Sequence, residues 1–153
     1  MIFATTGTCE PFDRLLQALD ALGLDEELVV QHGISPVRPQ GARCIDFLAY
    51  SDLVGLVRRA RLVVTHGGVG SVLTALTNGK RPVVVPRLAR LGEAIDDHQL
   101  EFVRKLAAAH VIELVEDTSE LGSRLAGVHA EPRGVRPDER LVSELRSYLT
   151  AAA

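Results

Sequence analysis

Short apolar runs alternate along this chain with stretches whose apolar residues fall three or four apart. The runs at 2–5, 28–31, 43–45, 62–64, 82–86 and 111–114 are rich in valine, isoleucine and leucine, and read as strands. Between them Phe12, Leu15, Leu16, Leu19 and Leu22 share one face of a helix that Pro11-Phe12-Asp13 opens and Gly23 stops. Ser51-Asp52 predicts the cap of a second helix carrying Leu53, Leu56 and Val57 to Ala60. A third carries Val72, Leu73, Ala75 and Leu76 and stops at Gly79-Lys80-Arg81. A charged loop at 87–95 leads to a fourth, capped by Asp96 or Asp97, with Leu100, Val103, Leu106 and Ala107 inward. Thr118 starts a short helix over 119–126. Residues 131–137 read as a linker, and the pattern at Leu141, Val142, Leu145, Tyr148 and Leu149 predicts an amphipathic helix from 138 to about 149.

Strands alternating with helices, most strands continuously apolar, predict an α/β fold: a Rossmann-like, mostly parallel sheet with helices on both faces. One such domain over 1–130, followed by the linker and C-terminal helix at 131–153, accounts for the chain. Ligands of such sheets bind outside the carboxyl ends of the strands. That rule collects Thr6-Gly7-Thr8, Gln31-His32-Gly33, the stretch from His66 to Ser71, and the loop at 87–99. The third of these is the most informative. A strand ends at Thr65-His66, Gly67, Gly68 and Gly70 follow, and a helix begins. Glycines let backbone N–H groups approach a ligand, and a helix start offers unpaired donors with partial positive charge, which suits a phosphate. Ser71 in the first turn adds a hydroxyl, and His66 adds a contact as a hydrogen-bond donor or as imidazolium. The spacing fits neither G-x-G-x-x-G nor the P-loop, and tight packing alone also demands glycine at such turns.

Size and charge narrow the partners. The 153 residues hold 46% hydrophobic and 24% charged side chains, the balance of one globular domain. A net charge of −3 and an aromatic fraction of 4% provide neither the basic patch nor the stacking platforms of a nucleic-acid binder. Cys9 and Cys44 match no metal or redox spacing and, beside predicted strands, are expected to be buried free thiols. The first residues lack the basic and apolar regions of a signal peptide, so a cytoplasmic protein is expected.

His66-Gly67-Gly68-Val69-Gly70-Ser71, then Pro86, then Asp97-His98-Gln99 resembles the nucleotide-sugar motif in the C-terminal half of GT-B glycosyltransferases. The start, Phe3 to Thr8 with Pro11 to Leu15, is similar to the Alg13-like and PssE-like group, related to the C-terminal domain of MurG. The run Pro86 to Glu93 looks PssE-like. The resemblance implies that His66 and Ser71 contact the donor's diphosphate, with Gly7 and Thr8 near it. It implies that Asp97 and Gln99 hold hydroxyls of the donor sugar, and that Phe47 and Leu48 border the uracil. Many members of the group carry a glutamate for the ribose where this chain has Thr74, which weakens that contact. Donors fixed at a helix start would stabilise the charge that develops on a nucleoside diphosphate leaving group, so no metal or other cofactor is expected.

A GT-B enzyme needs two Rossmann-like halves, and this chain has the length of one. The resemblance therefore implies a UDP-sugar-binding subunit of an inverting glycosyltransferase. A membrane-associated, Alg14-like or PssD-like acceptor-binding partner would recruit it to the cytoplasmic face of the membrane, where a lipid-linked saccharide accepts the sugar. The PssE-like run points to exopolysaccharide assembly, with GlcNAc, Glc, Gal or GlcA as the sugar. A nucleotide-binding regulator or scaffold without transferase activity is the alternative, and a stand-alone flavodoxin-like enzyme a weaker one. No general base stands out. His98 reads as a local hydrogen-bonder, His32 as a minor cleft residue, and His110 and His129 as surface. Arg87 and Arg90 are open to phosphates, a partner or water, and Glu93 to an acceptor or to none of these.

Overall fold

The computed structural model describes residues 1–127. The boundary at 130, the linker, the 138–149 helix and His129 lie outside the described residues. Six strands, β1 (Ile2–Thr5), β2 (Leu28–Gln31), β3 (Arg43–Ile45), β4 (Leu62–His66), β5 (Val83–Val85) and β6 (Glu113–Leu114), form one sheet. Their order is β3-β2-β1-β4-β5-β6, and every pairing is parallel. The helices are α1 (Asp13–Ala21), α2 (Tyr50–Arg59), α3 (Val69–Thr77), α4 (His98–Ala108) and α5 (Leu121–Gly127).

The alternation of side chains along a strand divides the core between two faces. Ile2, Ala4, Val30, Leu62 and Val64 meet Leu15, Leu16 and Leu19 of α1 and Leu121 and Leu125 of α5. On the other face Phe3, Val29 and Val63 meet Leu56 and Val57 of α2 and Ala75 of α3. Val84 packs there with Val72 and Leu76 of α3 and Leu100, Val103 and Leu106 of α4. The sheet is thus covered on both sides, as continuously apolar strands require. Its two margins, β3 and β6, are only three and two residues long.

Several element ends differ from expectation. Helix α2 begins at Tyr50 on an Ala49 cap without a side-chain bond, so Ser51 and Asp52 lie inside its first turn. Asp97 occupies the cap position of α4, yet its carboxylate does not cap; Asp96 accepts the His98 N–H instead, at 3.0 Å. The last strand shrinks to Glu113–Leu114, because pairing with β5 runs only from Glu113 N–H on Pro82 O to Val115 N–H on Val84 O. Asp117 accepts the Ser119 N–H at 2.9 Å and starts a 3₁₀ turn, Thr118–Glu120, ahead of α5. The charged loop holds a second such turn, Ala89–Leu91.

Candidate functional site

Adjacent strands β1 and β4 send their following helices, α1 and α3, to opposite faces of the sheet. Their carboxyl ends therefore flank a topological switch point, where the sheet opens a crevice. Side-chain bonds fix the β1 end. Thr5 donates its hydroxyl to Gln31 Oε1 at 2.9 Å and accepts the Gly7 N–H at 3.2 Å. Thr6 donates to Gln31 O at 3.3 Å. The loop that carries Gly7 and Thr8 is thus hung from the end of β2. Thr8 is exposed, its hydroxyl 3.6 Å from Cys9 Sγ; Cys9 is itself exposed in this loop and Cys44 half-buried on the margin strand β3, so neither thiol is buried as expected.

His66 closes β4, and its ring is walled by glycine. A Cβ at Gly7 would lie 2.9 Å from its Cε1 and 3.0 Å from its Nε2, and one at Gly68 would overlap Nε2. Gly33, with φ of +57°, in turn makes room for the carbonyl of Gly7. The two glycines that touch the ring serve it, as bare backbone on which an imidazole can lie. His66 is 8% exposed, and its Nδ1 is buried without a hydrogen-bond partner. Burial and then the Arg87 guanidinium push its pKa down to about 4, against an opposing pull from the Thr5 main chain. At neutral pH the ring is uncharged. Of the two states expected for His66, neutral donor and imidazolium, the free protein holds the neutral one.

Helix α3 starts beside this ring. Gly68 caps it in an extended conformation with no side-chain cap, so the orphan N–H groups of its first turn are left to a ligand or water. Val72 N–H makes the first helical bond, to Gly68 O at 3.1 Å. Gly67 is buried, and a Cβ there would make ordinary contact with Val103, Gln99 and Pro86, whereas one at Gly70 would meet nothing. Ser71 is half-buried in the same turn. Thr74, one turn on, is buried and donates its hydroxyl back to Gly70 O at 2.8 Å. Its donor is committed to the helix, and only the acceptor side of that oxygen is left for anything else.

The loop after β5 brings the remaining candidates. Gln99 packs its stem on Gly67, 3.6 Å from where a Cβ would stand, and its Oε1 is buried without a partner. Asp97 accepts the Ala89 N–H at 3.1 Å, so one carboxylate oxygen braces the loop. His98 is exposed, and its pKa is raised by the hydrogen bond and charge of Asp96, 2.8 Å away. Leu48 is half-buried and Phe47 is 68% exposed, both beyond β3, the strand two places from β1. The structure thus gathers Gly7, His66, Gly67, Gly68 and Gln99 into direct contact, with Gly70, Ser71 and Thr74 along the adjoining helix turn. Thr8 and His98 adjoin Gly7 and Gln99 in the chain but are exposed, and Phe47 and Leu48 follow the margin strand β3. No group of three or more His, Cys, Asp or Glu side chains could hold a metal ion among the described residues.

Sequence reasoning missed the arginines. Arg87 is 4% exposed and donates to Thr6 O at 2.7 Å and Glu10 O at 2.8 Å. Glu93 takes both Nε and Nη2 of Arg14, at 2.7 and 2.9 Å, and also accepts Leu88 N–H at 3.0 Å. Only its place immediately after Pro86 at a strand end marked Arg87, and nothing local marked Glu93. Gln31 and His32 are buried as well, His32 with an unpartnered Nδ1.

Known proteins share this fold. The glycosyltransferase family 28 C-terminal domain matches residues 12–135. A protein of Yarrowia lipolytica named UDP-N-acetylglucosamine transferase subunit ALG13 is 32% identical over 138 residues, covering 80% of this chain and 68% of that protein. The human protein of the same name is 34% identical over 119 residues, 69% of this chain but 10% of its own length. Among solved structures, the Streptomyces sp. SF2575 glycosyltransferase SsfS6, complexed with thymidine diphosphate, superposes with a TM-score of 0.61 at 27% identity, over 95% of this chain and 37% of that one. The glycosyltransferase SnogD from Streptomyces nogalater shares the fold, with a TM-score of 0.59 at 19% identity, over 97% and 39%. The chain spans about two fifths of these solved glycosyltransferases. By its sequence match and its GT-B-type half, this chain belongs to the glycosyltransferase family 28 C-terminal domain family.

Proposed function

We propose that this chain is the donor-binding subunit of a two-component glycosyltransferase and takes a UDP-sugar in the crevice between β1 and β4. The observation that carries the reading is the neutral, glycine-walled His66 beside the uncapped start of α3. A diphosphate fits such a place. The helix start supplies N–H donors and about 0.3–1 kcal/mol of dipole attraction, more where water is excluded. Ser71 and His66 add side-chain donors, and Gly70 leaves the backbone bare where oxygens would approach. Gln99, with its unpartnered Oε1, would accept from a sugar hydroxyl, and the free oxygen of Asp97 would do the same. Thr8 would flank the phosphates, Phe47 and Leu48 the base, and Thr74 would accept one ribose hydroxyl. As the sugar leaves, these fixed donors would stabilise the nucleoside diphosphate without reorganising, and no metal would be needed.

The names of the relatives favour N-acetylglucosamine among the sugars considered. The acceptor half would come from a membrane-associated partner that presents a lipid-linked saccharide and holds this chain at the cytoplasmic face. No described helix is long and apolar enough to cross a membrane by itself. An exopolysaccharide product rests on the run Pro86 to Glu93 alone. The committed hydroxyl of Thr74 favours the second reading, a nucleotide-binding scaffold without turnover.

Calorimetric titration with UDP, UDP-GlcNAc, UDP-glucose and UDP-galactose tests this. Tighter binding of UDP-GlcNAc than of UDP is the expected result. Equal affinity for all four, without turnover when an acceptor subunit is supplied, would select the scaffold. No binding with or without that subunit would overturn both.

A further inference from the structure

Two segments far apart in sequence meet on one aromatic ring beside the candidate site. Phe12, buried at the start of α1, has the Arg87 guanidinium 5.0 Å and the Arg14 guanidinium 5.2 Å from its ring centroid. Arg87 reaches the loop after β1, where a single Nη2 serves the carbonyls of Thr6 and Glu10. Arg14 reaches the loop after β5 through Pro86 O, at 2.8 Å, and Glu93. Those loops hold the two ends of the candidate site: Gly7 against His66 on one side, and the Ala89–Asp97 brace leading to Gln99 on the other.

From this geometry we infer that Arg87 is a positioning residue: it holds the Thr6–Glu10 loop, and so Gly7, in place against His66 for nucleotide binding. The inference rests on the donor site proposed above. Arg87 is 4% exposed, which leaves it little reach to a ligand. Its Nε lies 3.9 Å from Glu10 Oε2, and its Nη2 donates to two main-chain carbonyls, those of Thr6 and Glu10. The charged groups around it are Glu10, Glu93 and Arg14, with the Cys9 thiol nearby. The consequence for His66 is direct, because the same cation opposes protonation of the ring.

The experiment uses Arg87→Met and Arg87→Lys, with Arg104→Met on the exposed Arg104–Glu116 pair as control. Each variant is checked by thermal melting, by NMR titration of the His66 ring, and by calorimetry with UDP. In Arg87→Met the titration midpoint should rise, though burial of the ring still holds it below the ordinary value. UDP affinity should fall about tenfold. Arg87→Lys keeps the charge and one donor; it should keep the low midpoint and recover part of the affinity. Arg104→Met should change neither. Unchanged UDP affinity in a folded Arg87→Met, or an equal loss in Arg104→Met, would overturn the inference. If the unaltered protein takes no UDP, the donor-site reading itself falls. The His66 midpoint then still judges the effect of the Arg87 charge on the ring, and a midpoint that stays put in Arg87→Met would overturn that as well.

Discussion

At the scale of single residues, the glycines of the β4–α3 turn do three different things. Gly68 makes room for a side chain, since a methyl group there would overlap His66 Nε2 although its φ of −67° suits any residue. Gly67 merely packs, and Gly70 faces open space. Gly68→Ala should therefore displace the ring and abolish most nucleotide affinity, while Gly70→Ala should raise the melting temperature. Alanine is favoured over glycine in a helix by up to about 1 kcal/mol. If phosphate oxygens approach at Gly70, that stabilised variant should still bind UDP less well. Paired melts and titrations decide it, and identical behaviour of the two variants would sink this division of labour. A sequence shows that three glycines sit in a turn but not which atom each one spares. That depends on where the His66 ring turns and on Pro86, Gln99 and Val103, brought in from later elements.

At the scale of elements, the loop between β5 and α4 is tied down by an ion pair that joins residues 79 apart in sequence. Arg14 grips Glu93 with two bonds, both side chains are mostly buried, and Glu93 also holds the Leu88 N–H. Glu93→Gln loses the charge and part of this geometry, and should cost about 1–3 kcal/mol of stability in chemical denaturation. Glu116→Gln, on the exposed pair with Arg104, should cost less than about 1 kcal/mol. Equal costs would show that the Arg14–Glu93 pair does not anchor the loop. The strands and helices themselves were legible, because apolar periodicity is local. Ends differed at two caps: α2 starts on Ala49 with no side-chain cap bond, and Asp97 turns across the loop to Ala89 rather than to its own helix. Arg87 and Glu93 were unreadable because their partners lie in elements that only the fold brings near.

For the whole molecule, the buried His66 makes stability depend on acidity. Its folded pKa of about 4 lies below the ordinary 6.5, so between these values the unfolded chain binds more protons than the folded one. The contribution of the uncharged ring is constant above about pH 6.5, falls as the pH drops toward 4, and levels off below. It amounts to at most about 3 kcal/mol. His66→Gln should flatten that limb of the stability curve, as read by denaturant titration at pH 7, 5.5 and 4.5. A variant with the same slope as the parent would place the acid sensitivity elsewhere. The parallel sheet and the location of the crevice could be anticipated from strand and helix alternation. The charge state of the histidine within it could not, since burial and Arg87 set it jointly.

The short margins of the sheet bear on how such a chain survives at high concentration. A two-residue strand β6 carries Glu113, held between Arg81 at 3.1 Å and Arg124 at 2.7 Å, and β3 opens with exposed Arg43. Brief, charge-guarded rims give a foreign strand little ladder to extend, which is how natural sheets resist fibril-like growth. A second protein meeting these residues would engage loops and helices, and crowding would not by itself draw copies together through β3 or β6.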